Sequence, residues 1–376
     1  MEPVFLTSCP SYEFPVLQAA VERAADALGL ERYIRPGMQV LLKPNLLMKA
    51  RPDRAVVTHP LVTAAIGVYL QRLGASITIA DSPGGIYSPA VLKGIYAACG
   101  YEDVAREHGF TLNLDCSYRP MEVPNGRRSK VFQVIAPALD ADLIVDIAKL
   151  KSHCMTGLSG AVKNLFGVVP GLMKPELHCR FPDKEHFGEM LADLCEAIAP
   201  RIAFVDAVTA MEGNGPSGGK PRQVGLLAAS TSPFPLDVAC AAIAGMDPME
   251  IPMLRSGQER GLCPARAEEL EILGEPLDAF LVPDFLQPES QPSDFLQKVP
   301  RIFRPLAVKI CTPFPKIRAK DCIGCAKCQE SCPQHTIEIR DRKAFILSHD
   351  CIRCYCCHEM YPVQAIDIKR FSLFNL

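Results

Sequence analysis

Eight of the 17 cysteines lie between Cys322 and Cys357. The first four stand as Cys322-Ile-Gly-Cys325-Ala-Lys-Cys328-Gln-Glu-Ser-Cys332-Pro333, a C-x2-C-x2-C-x3-C-P run. Cys351-Ile-Arg-Cys354-Tyr-Cys-Cys357-His-Glu-Met-Tyr361-Pro362 repeats it except at the last position. Two-residue gaps wrap a tight loop, so three thiolates converge on three iron corners of one cubane. The cysteine before proline leaves the loop for the neighbouring cluster. Gly324 permits a close backbone approach, whose amides can hydrogen-bond cluster sulfides. Zinc is the competing reading of paired C-x2-C motifs. Zinc needs neither the third cysteine nor the x3-Cys-Pro ending, so the near-repeat favours two iron–sulfur clusters, both expected to be [4Fe-4S].

Crossed ligation moves the irregularity. One cluster takes Cys351, Cys354 and Cys357, plus Cys332. The other takes Cys322, Cys325 and Cys328, and would draw its fourth ligand from position 361. That position is Tyr361, so the Cys322/Cys325/Cys328 cluster is one thiolate short. Three alternatives follow: a [3Fe-4S] cluster, a non-cysteine fourth ligand (Tyr361 oxygen or water), or recruitment of Cys356. The plainer reading of Cys356 is a free thiol beside the ligands.

The first 282 residues offer a second set of reactive groups. Lys43 and Asn45 follow an apolar run, Met38–Lys43. Asp81 and the Gly84-Gly85 turn follow another. Lys149, Lys151 and His153 follow a third, and Asp206, Glu212 and Asn214 a fourth. Ligands of a doubly wound sheet bind beyond the carboxyl ends of its strands, so these loops are expected to meet in one cleft. Lys43, Asp81, Lys151, His153 and Lys163 are its candidate catalytic residues. Ser159 is placed to cap a helix carrying Lys163 and Asn164, and a helix N-terminus flanked by Lys151 and Lys163 suits a small anionic ligand. Solvated lysines are the plainer reading.

His153-Cys154, His178-Cys179 and His186 have the donor types of a metal site, and His153 or His178 those of an acid–base catalyst. Gly213-Asn-Gly-Pro-Ser-Gly-Gly-Lys220-Pro-Arg222 misses the phosphate-loop spacing and reads as a lid or turn. No G-x-G-x-x-G follows the first strand, so a nicotinamide cofactor is not indicated.

The elements that must hold these residues alternate. Strands are expected at Met38–Lys43, Ala75–Ala80, Thr111–Asp115, Ala141–Asp146, Arg201–Asp206 and Val224–Ala229. Helices are expected from the Thr58-His59-Pro60 start to Leu73, and at Ser88–Ala98, Leu158–Val168, Glu185–Ile198 and Pro235–Ala244. Such alternation implies an α/β, doubly wound, mainly parallel sheet, followed by a small α+β ferredoxin-like domain. Proline density marks 283–315 as a connector. The expected domains are 1–282, that connector, and 316–376.

At 376 residues, with 48% hydrophobic and 22% charged residues and a net charge of −2, the chain has ordinary globular composition. It lacks the basic surplus of a nucleic-acid binder. No membrane span and no targeting signal are visible, so a cytoplasmic protein is expected.

The motifs Val40-Leu-Leu-Lys43-Pro-Asn45, Thr58-His59-Pro60, Asp81-Ser-Pro-Gly-Gly85, Lys149-Leu-Lys151-Ser-His153, Ser159-Gly-Ala-Val-Lys163-Asn164-Leu-Phe-Gly167 and Met211-Glu212-Gly-Asn214-Gly-Pro216 occur together and in order. Over residues 38–245 the chain resembles the DUF362 family, whose members often carry a two-cluster ferredoxin tail. The resemblance implies the architecture rather than a reaction. The fusion itself suggests an oxidoreductase that passes single electrons between an external carrier, such as a ferredoxin or flavodoxin, and an anionic ligand in the cleft. The alternatives are a non-catalytic electron-transfer or cluster-handling protein whose α/β domain binds a partner protein, and clusters that only staple the tail.

Overall fold

The computed structural model describes residues 2–289, 313–347, 349–359 and 365–369. In the large domain the strands are β1 (Val4–Ser8), β2 (Gln39–Pro44), β3 (Ser76–Ile79), β4 (Thr111–Leu112), β5 (Tyr118–Glu122), β6 (Val131–Ile135), β7 (Leu143–His153), β8 (Gly157–Ser159), β9 (Ile202–Glu212), β10 (Lys220–Ser230) and β11 (Ile272–Gly274). All but the β5–β6 hairpin join one sheet in the order β11-β1-β10-β9-β7-β2-β3-β4, with β8 folded onto β7. The run β9-β7-β2-β3-β4 is parallel; β10 lies antiparallel to both its neighbours.

Side-chain alternation along β7 explains why the sheet is covered on both faces. Val145 and Ile147 pack into a core with Leu17, Val62, Ile66 and Leu92, from the helices Phe14–Leu28, Pro60–Arg72 and Pro89–Ala98. Ile144, Ala148 and Leu150 pack the other way, with Leu191, Leu236 and Met253 from Lys184–Ile198, Pro233–Ile243 and Pro252–Glu259. The large domain is therefore α/β and doubly wound, with a mainly parallel sheet.

Three strands, β7, β9 and β10, exceed their expected length. β7 and β9 each run 11 residues, far enough to carry Lys149, Lys151, His153 and Glu212 on rigid backbone. The helix expected at Leu158–Val168 is corrected: the segment is β8, the short helix Ala161–Asn164 and a 3-10 turn, Leu165–Val168. Gly160 breaks it, with non-helical φ −124° and ψ −149°, and a Cβ there would lie 2.1 Å from Asp237 Oδ1. The start of the proline-rich segment packs onto the large domain. Phe285 is buried, and Leu286 N–H donates to Glu212 Oε2 at 3.1 Å. Residues 290–312 lie outside the described residues.

The tail contributes β12 (Phe314–Ile317), β13 (Ile337–Arg340), β14 (Lys343–Ile346) and β15 (Ile366–Lys369). β12 pairs with β15, and β13 with β14, both antiparallel. Its two cysteine loops share one backbone path. Gly324 and Ala326 in the first loop, and Arg353 and Tyr355 in the second, have φ between 57° and 69°. Each loop then enters a one-turn helix, Lys327–Glu330 or Cys356–Glu359. A Cβ on Gly324 would meet Arg342 O at 2.4 Å, so glycine is required there.

Candidate functional site

Cys332, Cys351, Cys354 and Cys357 line one cavity of about 320 Å³, together with Pro315, Ile337 and Ile346. The structure thus gathers Cys332 with the second loop rather than with its own. Cys322, Cys325 and Cys328 pack together at the first loop. Backbone N–H groups already point at two sulfurs: Thr336 N–H at Cys332 Sγ, 3.3 Å, and Ala344 N–H at Cys322 Sγ, 3.4 Å. Soft donors, apolar walls and amide donors to sulfur fit iron–sulfur clusters, which supply one-electron transfer when bound. Position 361 lies outside the described residues. Cys356 stands beside Cys354 of the second loop and also reaches the large domain.

That reach defines a second cavity of about 680 Å³. Asn45, Asp81, Lys151, Ser159, Lys163, Lys174 and His178 of the large domain line it, and so do Cys356 and Glu359 of the tail. It lies beyond the carboxyl ends of β2, β3 and β7, where such a sheet binds ligands. A single peptide bond joins Cys356 to the cluster-cavity residue Cys357.

The tail is seated by the glycine-rich segment between β9 and β10. Ser217 Oγ donates to Glu359 O at 3.0 Å, and His358 Nε2 meets Asn214 O at 3.1 Å. A Cβ on Gly218 would stand 2.7 Å from the His358 ring. The expected lid or turn is therefore the cradle of the second cysteine loop. Glu359 Oε1 completes the seat, 3.1 Å from His153 Nε2.

Beneath the cavity runs a buried polar network. Lys43 Nζ lies 2.7 Å from Asp81 Oδ1, and donates to Pro44 O at 2.9 Å and Asn164 Oδ1 at 3.3 Å. Leu46 N–H donates to Asp81 Oδ2 at 2.7 Å. Lys151 Nζ donates to Asn45 Oδ1 at 2.7 Å and Val56 O at 2.9 Å. Lys174 Nζ donates to Ser82 O at 2.6 Å and Val169 O at 2.7 Å. Lys163 differs. Its ammonium has no hydrogen bond or ion pair among the described residues, and lies 5.5 Å from the Phe166 ring centroid.

Burial sets the protonation states. It pushes Lys151 down to about 7, with Lys163 and Lys149 adding repulsion. It likewise pushes Lys174 down to about 7, and lowers Lys163 against the pull of Glu359 and Cys356. Burial and Lys163 hold His153 at about 4. His153 Nδ1 accepts from Met155 N–H (3.1 Å) and Thr156 N–H (3.3 Å), so the neutral ring carries its proton on Nε2, towards Glu359. Burial alone would raise the Glu359 carboxyl; the facing His153 and Lys163 hold it well below the usual carboxylate range. With His153 neutral, it acts as an N–H donor and Lys163 supplies the opposing charge.

The five expected catalytic residues therefore divide. Asp81, Lys151 and Lys163 line the cavity. Lys43 lies beneath it, bonded to Asp81. His153 stands behind Glu359: its Nδ1 accepts from two backbone N–H groups, and its Nε2 lies 3.1 Å from Glu359 Oε1. The expected anion site at a Ser159-capped N-terminus is corrected: Asp237 takes that terminus, accepting from Ala161 N–H (2.6 Å) and Val162 N–H (2.9 Å). Lys149 and Asp206 also leave the expected cleft. They pair at 2.9 Å with Tyr12 and the His59 backbone around them, and His59 caps its helix. The histidine–cysteine metal site does not assemble. His186 is bonded to Asp183 at an exposed position, and Cys154 packs on Tyr355 and Ile368. Lys174, Glu359 and Asp237 were absent from the expected set. Asp237 had a signal in sequence, as the one charged residue of the apolar helix Pro233–Ile243.

A doubly wound α/β domain completed by a cysteine-rich tail defines an iron–sulfur protein of two parts. Residues 314–360 match a 4Fe-4S dicluster domain, and residues 40–242 match the family described as Domain of unknown function (DUF362). The chain belongs to the DUF362 family. It is 36% identical over 301 residues to the thylakoid-associated protein sll1697 of Synechocystis sp., covering 77% of this chain and 90% of that protein. Among solved structures, the lactate racemase apoprotein of Thermoanaerobacterium thermosaccharolyticum aligns at TM-score 0.41 and 18% identity, over 66% of this chain and 57% of that one. A Thermotoga maritima protein aligns at 0.36 and 11%, over 70% and 61%. The chain thus spans under two thirds of either. Among the described residues no helix is long and apolar enough to cross a membrane.

Proposed function

We propose that this protein is an iron–sulfur oxidoreductase that passes single electrons between an external carrier, such as a ferredoxin or flavodoxin, and an anionic ligand held in the 680 Å³ cavity. One observation carries the reading: Cys356 and Glu359, which flank the cluster-cavity residue Cys357, are walls of the cavity that Lys151 and Lys163 line. In this reading Cys332, Cys351, Cys354 and Cys357 hold the cluster beside the cavity, and Cys322, Cys325 and Cys328 hold the outer one. Lys151 and Lys163 bind the anion, Lys43 fixes Asp81, and His153 fixes Glu359. Most lining side chains are buried, which suits a small ligand better than a protein surface.

The test uses full-length protein, purified without oxygen and reduced. The small-anion fraction of a cell extract is expected to reoxidise it, with a Lys163→Met variant at least tenfold slower. Equal rates in the two proteins overturn the reading. A cytoplasmic site of action is part of the proposal. Recovery in a washed membrane fraction would instead extend to this chain the association named for the Synechocystis relative.

A further inference from the structure

The charges around the large cavity are unbalanced. Counting Lys43 beneath Asp81, four lysines (Lys43, Lys151, Lys163, Lys174) face two carboxylates, Asp81 and Glu359. Nearby Asp146 does not line the cavity; it lies behind Asn164, which donates to its Oδ1 at 2.7 Å. Desolvated charges without counter-charges are strongly disfavoured, so the arrangement favours a negatively charged ligand.

The unengaged donors sit on one wall. Lys151 and Ser159 are direct partners across the β7–β8 ladder, so their side chains leave the sheet side by side. Lys163 follows Ser159 by four residues through the short helix. Lys151 has two acceptors for three N–H groups. The Ser159 hydroxyl, on a residue 5% exposed, makes no hydrogen bond among the described residues, and neither does Lys163. Across from them His178 is 2% exposed, and its Nδ1 has no partner among the described residues. Its ring is fixed by stacking on Phe187 at 4.2 Å.

We infer that the cavity takes a small dianion, a phosphoryl group or a short dicarboxylate, held by Lys151, Ser159 and Lys163 and steered by His178. The inference rests on the proposed function only for the ligand's role as redox partner; the binding stands on the cavity alone. A dianion offers Lys151 and Lys163 a counter-charge each, where a monoanion offers one between them.

Calorimetry on the full-length, cluster-loaded protein tests it, at constant ionic strength, with inorganic phosphate, succinate and propionate as probes. At least one dianion is expected to bind ten or more times tighter than propionate. Phosphate alone identifies a phosphoryl group, and succinate alone a dicarboxylate. Lys163→Gln is expected to lose at least tenfold and Ser159→Ala about threefold, while Lys163→Arg, which keeps the charge, retains most of the affinity. Propionate binding as tightly as both dianions, binding by none of the probes, or equal affinities in Lys163→Gln and Lys163→Arg overturns the inference. Because calorimetry involves no electron transfer, reoxidation without dianion binding would sink this inference alone. Dianion binding with unchanged reoxidation would sink only the redox reading.

Discussion

Gly218→Ala separates the seating of the tail from everything else in the site. Gly218 has no unusual φ, so alanine is neutral for the backbone itself. The added Cβ would lie 2.7 Å from His358 Cε1 and Nε2 and 3.0 Å from Asn214 O, where ordinary contacts begin at 3.4 Å. The His358 ring cannot simply swing away. Its Nδ1 is 2.8 Å from Ile366 O and its Nε2 is 3.1 Å from Asn214 O. Overpacking of this kind costs about 1–3 kcal/mol, and the strained hydrogen bond about 1 kcal/mol more. Even the lower end of that sum, about 2 kcal/mol, corresponds to ~30-fold more frequent opening of the tail. Hydrogen exchange reads that opening directly. Peptides spanning 213–219 and 354–359 should exchange ~30-fold faster in Gly218→Ala, while those of β2 and β7 keep their wild-type rates. Exchange within threefold of wild type at both segments would refute the cradle. Acceleration throughout the large domain would show general misfolding instead.

Three further outcomes are expected. Sulfate stays dianionic between pH 6 and 9, so the pH dependence of its binding reports the protein. Lys151 faces Lys163, Lys149, Glu359 and Asp81, Lys174 faces Asp81, Lys43 and Lys163, and both are protonated below about 7. Affinity should be flat below pH 7 and fall above it, and an affinity rising with pH would contradict the assignment. Asp237→Ala strips two buried N–H groups of their acceptor; unfolding by urea should show a loss of about 2–4 kcal/mol, and a loss under 1 kcal/mol would remove Asp237 as the helix cap. Tyr361→Cys completes the thiolate set of the Cys322/Cys325/Cys328 cluster under crossed ligation. EPR should then change for that cluster alone, and an unchanged spectrum would refute the crossing.

The cysteine loops were legible in sequence because the chemistry that needs them is local: a two-residue gap closes a loop whatever surrounds it. The carboxyl-end placement of Asp81 and Lys151 was legible too, since strand topology fixes it. What the sequence hid was long-range. Lys149 and Lys151 lie two residues apart on β7, yet one meets Asp206 and Tyr12, and the other the cavity. No spacing rule separates them. The polar run Lys149–His153 also masked the length of β7, because an edge of charged residues reads as the end of a buried strand. β1 is five residues long and finds β10 more than two hundred residues away. Glu359 repeats the position of Glu330, which stays near the surface with Lys327. Only contact with the large domain gives the second acid its different role.

With a ligand in the proposed site, Lys163 would face two anions and so couple the halves of the molecule. Glu359, delivered by the tail, lines the same cavity in which the ligand's charge would sit. At low local dielectric each contact with the ammonium matters more than it would in water. A ligand that draws the ammonium towards itself weakens its attraction for Glu359, leaving the carboxylate to the His153 N–H at 3.1 Å. Linkage makes the effect mutual: whatever the ligand takes from the seating of the tail, the seated tail takes from the ligand's affinity. His153 limits the size of that exchange, because its Nδ1 is already committed to two backbone N–H groups and its Nε2 proton cannot turn away. The neutral histidine thus lets the tail stay seated while Lys163 turns to the ligand, which a second lysine in its place, adding another buried charge, would not do.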